Sequence, residues 1–328
     1  MKHFITKLIL IIPLQIVFSG CENNSIIFEN AYDQYEGELS ISGVSPQNYS
    51  YSGLIVSYPE KDSIECDAYM EIKGSVSSSI DNSIRALIIV RNNNTQEETK
   101  YWGDGTFEKQ LWFRYGSGQY TVEVYKAIIN ADLDGLGVIK SYTYYAIPAY
   151  IFNVNNKRNE DGRYLYPSEV IQSSDLDIAN LAQSIVFGKK SIDDAIKAIH
   201  DYTVQYLYYD FDSTIDGYRK KQDAISVLNA KAAVCEGYTN LFNALLRSIG
   251  IEAAYIYGDN HAWSYVGFEE GWKYVDVTWD DPIINGQLNN GNYISYEYYK
   301  LDKLDDHSID GTDNSREIVN NIVAIRIK

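Results

Sequence analysis

The chain has few long apolar runs and few basic residues, the features that are typical of membrane-spanning and nucleic-acid-binding proteins. Beyond the N-terminus it has no apolar run long enough to cross a bilayer as a helix. Its 28 basic residues are outnumbered by 45 acidic ones, for a net charge of −17, and they form no basic stripe. Because such a surface repels phosphate backbones, we expect no nucleic-acid partner. With 45% hydrophobic residues, the chain can still bury a core.

Cysteine and histidine are also scarce, with three of the first and four of the second. Any thiol or imidazole chemistry must therefore come from a few positions. Outside the cytoplasm, Cys66 and Cys235 could form one disulfide, and this is the structural alternative to a functional role for Cys235.

The N-terminus has the pattern of an export signal. Lys2 and Lys7 precede the apolar run Leu8–Phe18, and Ser19-Gly20-Cys21 follows it. This arrangement resembles a bacterial lipobox, which implies that residues 1–20 are a signal peptide and that Cys21 is lipidated. We therefore expect an extracytoplasmic protein attached to a bacterial membrane through its N-terminal lipid. The alternative is an ordinary secretory signal with an incidental cysteine.

After a polar tether at residues 21–37, short apolar or alternating runs indicate an all-β domain over residues 38–155. Turn sequences rich in glycine and asparagine separate the later runs. Strands at this spacing favour a β-sandwich of immunoglobulin-like type. The predicted strands include Ser52–Ser57, Ala68–Val76, Ala86–Val90, Leu111–Tyr115, Tyr120–Tyr125 and, as the last, Tyr142–Phe152.

The polar stretch Asn153–Gly162 predicts a domain boundary, and residues 160–328 are expected to form an α+β domain. Four helices are predicted, running from Asp175 to Phe187, from Ser191 past Thr203, from Asp223 to Leu228 and from Cys235 to Ile249. An antiparallel meander should follow, with strands Ala253–Tyr257, His261–Phe268 and Trp272–Val277.

The start of the last predicted helix is a favourable place for a reactive cysteine. Unpaired backbone N–H groups and the helix dipole stabilise a thiolate there, and Cys235 occupies this position. Among the histidines, His261 opens a strand after a polar turn and is the best placed to serve as a base. His3 lies in the signal, His200 among core-like helical neighbours, and His307 in an acidic segment near the C-terminus.

A carboxylate should orient the imidazole, and Asp276 lies in an otherwise apolar run on the next strand. Burying it is costly unless it is paired. If Glu269-Glu270 is a two-residue turn, His261 and Asp276 share one face of the sheet. The alternative is that Asp276 satisfies backbone donors at a strand end.

Three segments together resemble the transglutaminase core, and in particular the bacterial transglutaminase-like proteins of the papain-like thiol superfamily. They are Ala233–Tyr238, Asn260–Trp263 and Trp272–Pro282, which contain Cys, His and Asp in that order. The likeness extends over about residues 164–310 and does not reach the β-rich first domain. It implies a papain-like core in which a helix packs on an antiparallel sheet.

The resemblance implies acyl transfer at protein or peptide amides, with no cofactor. Cys235 would be the nucleophile, His261 the base and then the acid, and Asp276 the orienting carboxylate. The backbone N–H of Cys235 would stabilise the oxyanion with one further donor, which the sequence does not identify. Trp263 and Trp279 are candidates for walls of the cleft, although core packing explains them equally well.

Two alternatives accompany this interpretation. The core could be catalytically idle, so that the lipoprotein serves as a binding or scaffold module. Separately, Asn130–Gly135 fits the opening of a calcium loop, but Ser141 stands where a bidentate glutamate is wanted. We therefore interpret that segment as a turn between strands and predict no metal site.

The lipobox pattern generates the first testable prediction. Replacing Cys21 by serine removes the acceptor of the lipid, so Cys21→Ser should move the protein from the membrane fraction to the soluble or secreted fraction. Fractionation followed by immunoblotting measures this distribution. Equal membrane retention of the variant would contradict lipidation at Cys21.

Overall fold

A computed structural model describes residues 26–46, 53–77, 84–132, 139–214, 220–281 and 294–312. Within these residues, ten strands lie before residue 157. They are β1 (Gly37–Ser42), β2 (Leu54–Tyr58), β3 (Ser63–Asp67), β4 (Tyr69–Val76), β5 (Ile84–Asn92), β6 (Glu98–Gly103), β7 (Thr106–Trp112), β8 (Gly118–Asp132), β9 (Ile139–Tyr144) and β10 (Tyr150–Asn156).

These strands form two sheets that share one core. The larger sheet has the order β1-β3-β10-β8-β5-β6, with β9 also paired to β8, and the smaller has the order β2-β4-β7. Alternate residues of β4, including Met70 and Ile72, pack into the same apolar cluster as Ile88, Val122 and Phe152 of the larger sheet. The prediction of a β-rich N-terminal region is confirmed, whereas its immunoglobulin-like type stays a prediction.

Two predicted strands of this region differ most from the structure. The run Tyr142–Phe152 is not one strand: β9 ends at Tyr144 and β10 begins at Tyr150. Pro148 lies in this break and has no N–H to donate to a neighbouring strand. The run Leu111–Tyr115 was also misplaced, because β7 ends at Trp112 and the chain turns after it.

Helices, a four-stranded sheet and a two-stranded sheet make up the rest of the described chain. Its elements are α1 (Leu176–Val186), α2 (Ile192–Tyr206), β11 (Tyr208–Tyr209), a 3₁₀ turn (Phe211–Thr214), α3 (Ala224–Ala230), β12 (Ala232–Ala233), α4 (Cys235–Ser248), β13 (Ala253–Gly258), β14 (His261–Phe268), β15 (Gly271–Val275) and β16 (Gly311–Thr312).

Side-chain caps set the starts of three helices. Asp175 accepts hydrogen bonds from the first turn of α1, Ser191 accepts from Asp194 in α2, and Asp223 accepts from Ser226 in α3. Strands β13, β14 and β15 pair as the predicted antiparallel meander. The α+β class of this region is therefore confirmed.

Helix α4 is the centre of this region, and it is buried from Gly237 to Ser248. Its apolar residues join one cluster with residues of the other helices and of β13 and β14. Near its C-terminal end, the wholly buried Arg247 donates to the backbone carbonyls of Ala253 and Tyr166. The C-terminal end of the helix is thus fixed to the neighbouring chain.

The segment before β1 also packs on this region. Within the predicted tether of residues 21–37, Ile26 N donates to Lys189 O and Ala31 N to Ser248 O, both at 2.8 Å. The Tyr32 hydroxyl donates to Leu165 O at 2.6 Å. Cys21 lies outside the described residues, and the domain limits stay predictions. Among the described residues, no helix has the length and apolarity needed to cross a membrane.

Candidate active site

Cys235 is the first residue of α4. The preceding residue, Val234, has an extended backbone, and its side chain makes no capping hydrogen bond. The helix therefore begins at the residue that carries the thiol. Cys235 is half-buried, Cys66 is buried in β3, and both are free thiols. The structure therefore does not contain the disulfide considered as the alternative for Cys235.

The turn that enters α4 is braced by Gln222, a residue that sequence reasoning missed. Its side-chain oxygen accepts from Val234 N at 2.9 Å, and its backbone oxygen accepts from Asn240 Nδ2 at 2.8 Å. Gly237 leaves room for this contact: a Cβ there would lie 2.5 Å from Gln222 Oε1 and 2.7 Å from Ala233 Cβ. The Cys-Glu-Gly sequence thus reflects close packing beneath the thiol.

A tight hairpin places His261. Residues Asp259 and Asn260 have φ of 50° and 61°, and Gly258 pairs with His261 across the turn. Two successive positive φ angles are typical of the two-residue hairpin turn, and Asp and Asn tolerate them well. His261 is therefore held at the first position of β14, where its side chain is 14% exposed.

The hairpin between β14 and β15 has the register expected for a two-residue turn, because Phe268 pairs with Gly271. Strand β15, however, ends at Val275, so Asp276 is the first residue after the strand and not a residue within the predicted strand Trp272–Val277. Its carboxylate leaves the ladder and accepts from His261: the Nε2–Oδ2 distance is 2.6 Å.

Asp276 is wholly buried, and its carboxylate is well compensated. Oδ1 accepts from the backbone N–H of Thr278 at 2.9 Å and of Trp279 at 3.1 Å. Oδ2 accepts from His261 and from His307. Burial raises the pKa of this carboxyl, but these hydrogen bonds outweigh burial, and the pKa lies below its ordinary value. Asp276 is therefore ionised at neutral pH.

His261 lies between this carboxylate and the thiol. Burial lowers the pKa of His261, but hydrogen bonds with Asp276 and Cys235 outweigh it and raise the pKa to about 9. Because Nε2 is used by Asp276, Nδ1 is the nitrogen that can exchange a proton with Cys235. The structure thus brings together the three residues that the sequence predicted as a group.

A fourth residue, His307, joins the same cluster, although it lies in an acidic segment near the C-terminus. Its Nε2 lies 3.0 Å from Asp276 Oδ2, and its ring centroid is 5.5 Å from that of His261. The chain near Ser308 approaches the hairpin so closely that a Cβ at Gly258 would overlap Ser308 O. The predicted likeness over residues 164–310 includes His307 but gave it no role.

The two tryptophans differ in their surroundings. Trp279 is 41% exposed, and its ring stacks on His261 with centroids 5.0 Å apart and planes at 22°. Trp263 is buried, with a centroid 5.9 Å from His261. Trp279 therefore borders solvent beside the imidazole, whereas Trp263 packs behind it.

Tyr208 and Tyr209 pair with Ala232 and Ala233 just before the cysteine.

His200 belongs to a separate polar cluster. Its wholly buried side chain contacts Asp201 Oδ1 through Nδ1 and Asp280 Oδ2 through Nε2, both at 3.0 Å. Asp280 also accepts from Tyr298 N at 3.0 Å. This cluster joins α2 to the loop that follows Asp276, and it includes neither His261 nor Cys235.

The side-chain nitrogen or oxygen atoms of His261, Asp276 and His307 lie within 4.8 Å of one another. Two histidines and one carboxylate are a ligand set that zinc uses. Each of these atoms, however, already has a hydrogen-bond partner within the group, and Nε2 of His261 lies only 2.6 Å from the carboxylate oxygen. The hydrogen bonds account for the cluster, and we assign no metal to it.

Comparisons with known proteins show which proteins this chain is similar to. A family model described as the transglutaminase-like superfamily matches residues 179–277, which include α2, α4 and the meander. The human kyphoscoliosis peptidase (Homo sapiens) is 22% identical over 153 residues, or 42% of this chain and 23% of that protein. The mouse protein (Mus musculus) is 22% identical over 122 residues, or 32% and 18%.

The chain thus spans about a quarter or less of the length of these curated relatives. Among solved structures, a protein from Cytophaga hutchinsonii that is provisionally named a cysteine protease is 17% identical. The match covers 77% of this chain and 76% of that one, with a TM-score of 0.31.

The close packing at Gly237 generates a prediction about the thiol. Gly237→Ala should lower the free energy of unfolding by about 1–3 kcal/mol, because the added methyl displaces Gln222 or the first turn of α4. Displacement of the thiol from His261 should slow alkylation of Cys235 by about 10- to 100-fold. Iodoacetamide kinetics and urea unfolding measure the two effects.

Gly267→Ala is the matched control, because the nearest atom to a Cβ at that position is 3.6 Å away. We expect it to retain the alkylation rate of the unaltered protein. Equal rates for Gly237→Ala and Gly267→Ala would show that Gly237 does not position the thiol.

Proposed function

The chain carries a transglutaminase-like superfamily domain at residues 179–277, and we propose that this domain is a cysteine enzyme that transfers acyl groups from protein or peptide amides. Cys235 is the proposed nucleophile, His261 the proton carrier and Asp276 the residue that orients it. The observation that carries the proposal is His261, which contacts the thiol and also lies 2.6 Å from a wholly buried carboxylate.

The reaction begins from a thiolate at the start of α4 and an imidazolium at His261. The thiolate attacks the amide carbon, a C–S bond forms, and the carbonyl electrons move to oxygen. The oxyanion is stabilised by the backbone N–H of Cys235 and one further donor. When the oxyanion collapses, His261 gives its proton to the departing nitrogen, the C–N bond breaks, and a thioester remains.

In the second half, His261 takes a proton from the incoming nucleophile as it attacks the thioester, and the Cys235 thiolate leaves. Water as acceptor gives a peptidase or deamidase, whereas a lysine amine gives a cross-link. The names of the curated relatives support a peptidase. Trp279, exposed beside His261, supports an open approach for a polypeptide substrate.

We further propose that the enzyme works outside the cytoplasm, attached to a bacterial membrane through lipid on Cys21. Its substrates would then be proteins or peptides of the cell envelope. The acidic surface supports the expectation that nucleic acid is not a partner.

The proposal is tested by incubating envelope proteins with the full chain and identifying products by mass spectrometry. Cleavage, deamidation or new isopeptide bonds are expected. Cys235→Ala should abolish them, and Asp276→Asn should slow them by roughly 10³- to 10⁴-fold because the imidazole loses its orientation. Cys66→Ala is the control and should retain activity, because Cys66 lies in the β-rich region.

A catalytically idle core would give no products, and its Cys235 would react with iodoacetamide no faster than free cysteine. Cys66 is a poor reference for this comparison, because burial raises the pKa of its thiol. Slow alkylation of Cys235 that is unaffected by His261→Ala would contradict the enzyme proposal.

The pKa of His261 generates a prediction of pH dependence. This pKa is raised from its ordinary value of 6.5 to about 9, so the imidazolium persists through neutral pH and is lost as the pH rises through about 9. The departing nitrogen needs that proton, so kcat/KM should fall on the alkaline side with a midpoint near 9. Asp276→Asn should move this midpoint down towards 6.5. A midpoint near 6.5 in the unaltered enzyme would contradict the assignment.

A further inference from the structure

Both ring nitrogens of His307 contact carboxylates. Nε2 lies 3.0 Å from Asp276 Oδ2, and Nδ1 lies 2.8 Å from Asp306 Oδ1. The His307 side chain is 1% exposed, although Asp306 reaches solvent with a side-chain exposure of 52%. This residue therefore provides two hydrogen bonds from a buried position next to the proposed catalytic group.

These contacts determine the protonation state of His307. An ionised carboxylate only accepts hydrogen bonds, so a ring that contacts two of them must carry a proton on each nitrogen. Burial lowers the pKa of His307, but its hydrogen bonds with Asp276 and Asp306 outweigh burial and raise the pKa above its ordinary value. The hydrogen bond from His307 in turn lowers the pKa of Asp306. His307 is therefore an imidazolium at neutral pH.

The position of this charge matters because His307 and His261 share one acceptor atom. Both Nε2 atoms donate to Asp276 Oδ2, and the two ring centroids are 5.5 Å apart. The second donor fixes the orientation of the carboxylate. Its positive charge also offsets part of the negative charge that holds the proton on His261, which makes that proton easier to release.

The surrounding chain holds His307 against the site. Its ring packs on Trp279 and Trp263, with centroids 4.3 Å and 4.6 Å away. The Tyr298 hydroxyl donates to Asp306 Oδ2 at 3.0 Å, and Tyr298 O accepts from Asp276 N at 3.0 Å. Ser308, the residue after His307, hydrogen-bonds Asp259 in the hairpin that carries His261. The titratable groups that face His307 are thus Asp276, Asp306, His261 and Tyr298.

We propose that His307, in its protonated form, is a positioning residue for acyl transfer: it orients Asp276 and, through its charge, allows His261 to pass its proton to the departing nitrogen. The proposal rests on the function proposed above. His307 touches neither the thiol nor the substrate in this scheme and acts only through Asp276 and His261.

The test follows the imidazoles by NMR in the full chain labelled with ¹³C,¹⁵N-histidine. We expect His307 to carry protons on both nitrogens at pH 7. His307→Gln retains an N–H donor for Asp276 but removes the charge, so the titration midpoint of His261 should rise by about one pH unit, as expected for a unit charge at this separation. The same variant should shift the alkaline limb of kcat/KM upward and lower kcat at neutral pH.

Two further variants keep the test decisive. Asp306→Asn changes an exposed side chain and leaves His307 in place, so it should lower the titration midpoint of His307 itself. This variant tests the proposal even if His307→Gln folds poorly. His200→Gln is the matched control, because His200 also bridges two carboxylates but contacts neither Asp276 nor His261 in the described hydrogen bonds. It should lower thermal stability without moving the midpoint of His261.

A singly protonated His307 at pH 7, or a His261 midpoint that is unchanged in His307→Gln, would overturn the proposal. Failure of the proposed function gives a different result. In that case Cys235→Ser would leave the titration midpoint of His261 unchanged. If the thiolate pairs with the imidazolium, Cys235→Ser removes a negative charge and the midpoint of His261 falls.

Discussion

Burial of the Asp276 carboxylate is the constraint on which the rest of the site depends. A buried carboxylate without partners would cost several kcal/mol. Here the end of β15 turns Asp276 away from the sheet, so that two backbone N–H groups of the following loop and two imidazoles reach its oxygens. The same bonds that offset its burial fix His261. Structural stability and the proposed chemistry are therefore served by one set of contacts.

Local patterns were sufficient to predict the parts of the fold that local interactions decide. The caps at Asp175, Ser191 and Asp223 set the starts of helices α1 to α3, and apolar periodicity predicted α4. Strand ends in the β-rich region were less predictable. Their limits depend on which strand lies alongside, and an apolar run such as Tyr142–Phe152 does not show where pairing stops.

The site was predictable to the extent that it follows from short-range geometry. The register of the β14–β15 hairpin relates His261 to Asp276, and the start of α4 marks Cys235. Gln222 and His307 could not be found in this way. Each reaches the site through a contact between segments distant in sequence, and neither has a neighbouring motif that reveals its partner. In a single sequence, an acidic stretch around His307 is indistinguishable from a solvated surface.

The hydrogen bond from Ile26 to Lys189 has a consequence for where the proposed enzyme could act. Only five peptide links separate Ile26 from Cys21, and a fully extended chain of that length reaches about 17 Å. On the proposed lipid anchor, Ile26 and the Lys189 end of the helical region cannot move further than this from the lipidated residue while the contact persists. This tether is shorter than the diameter of a small domain, so the proposed enzyme would reach only substrates that lie near the membrane surface.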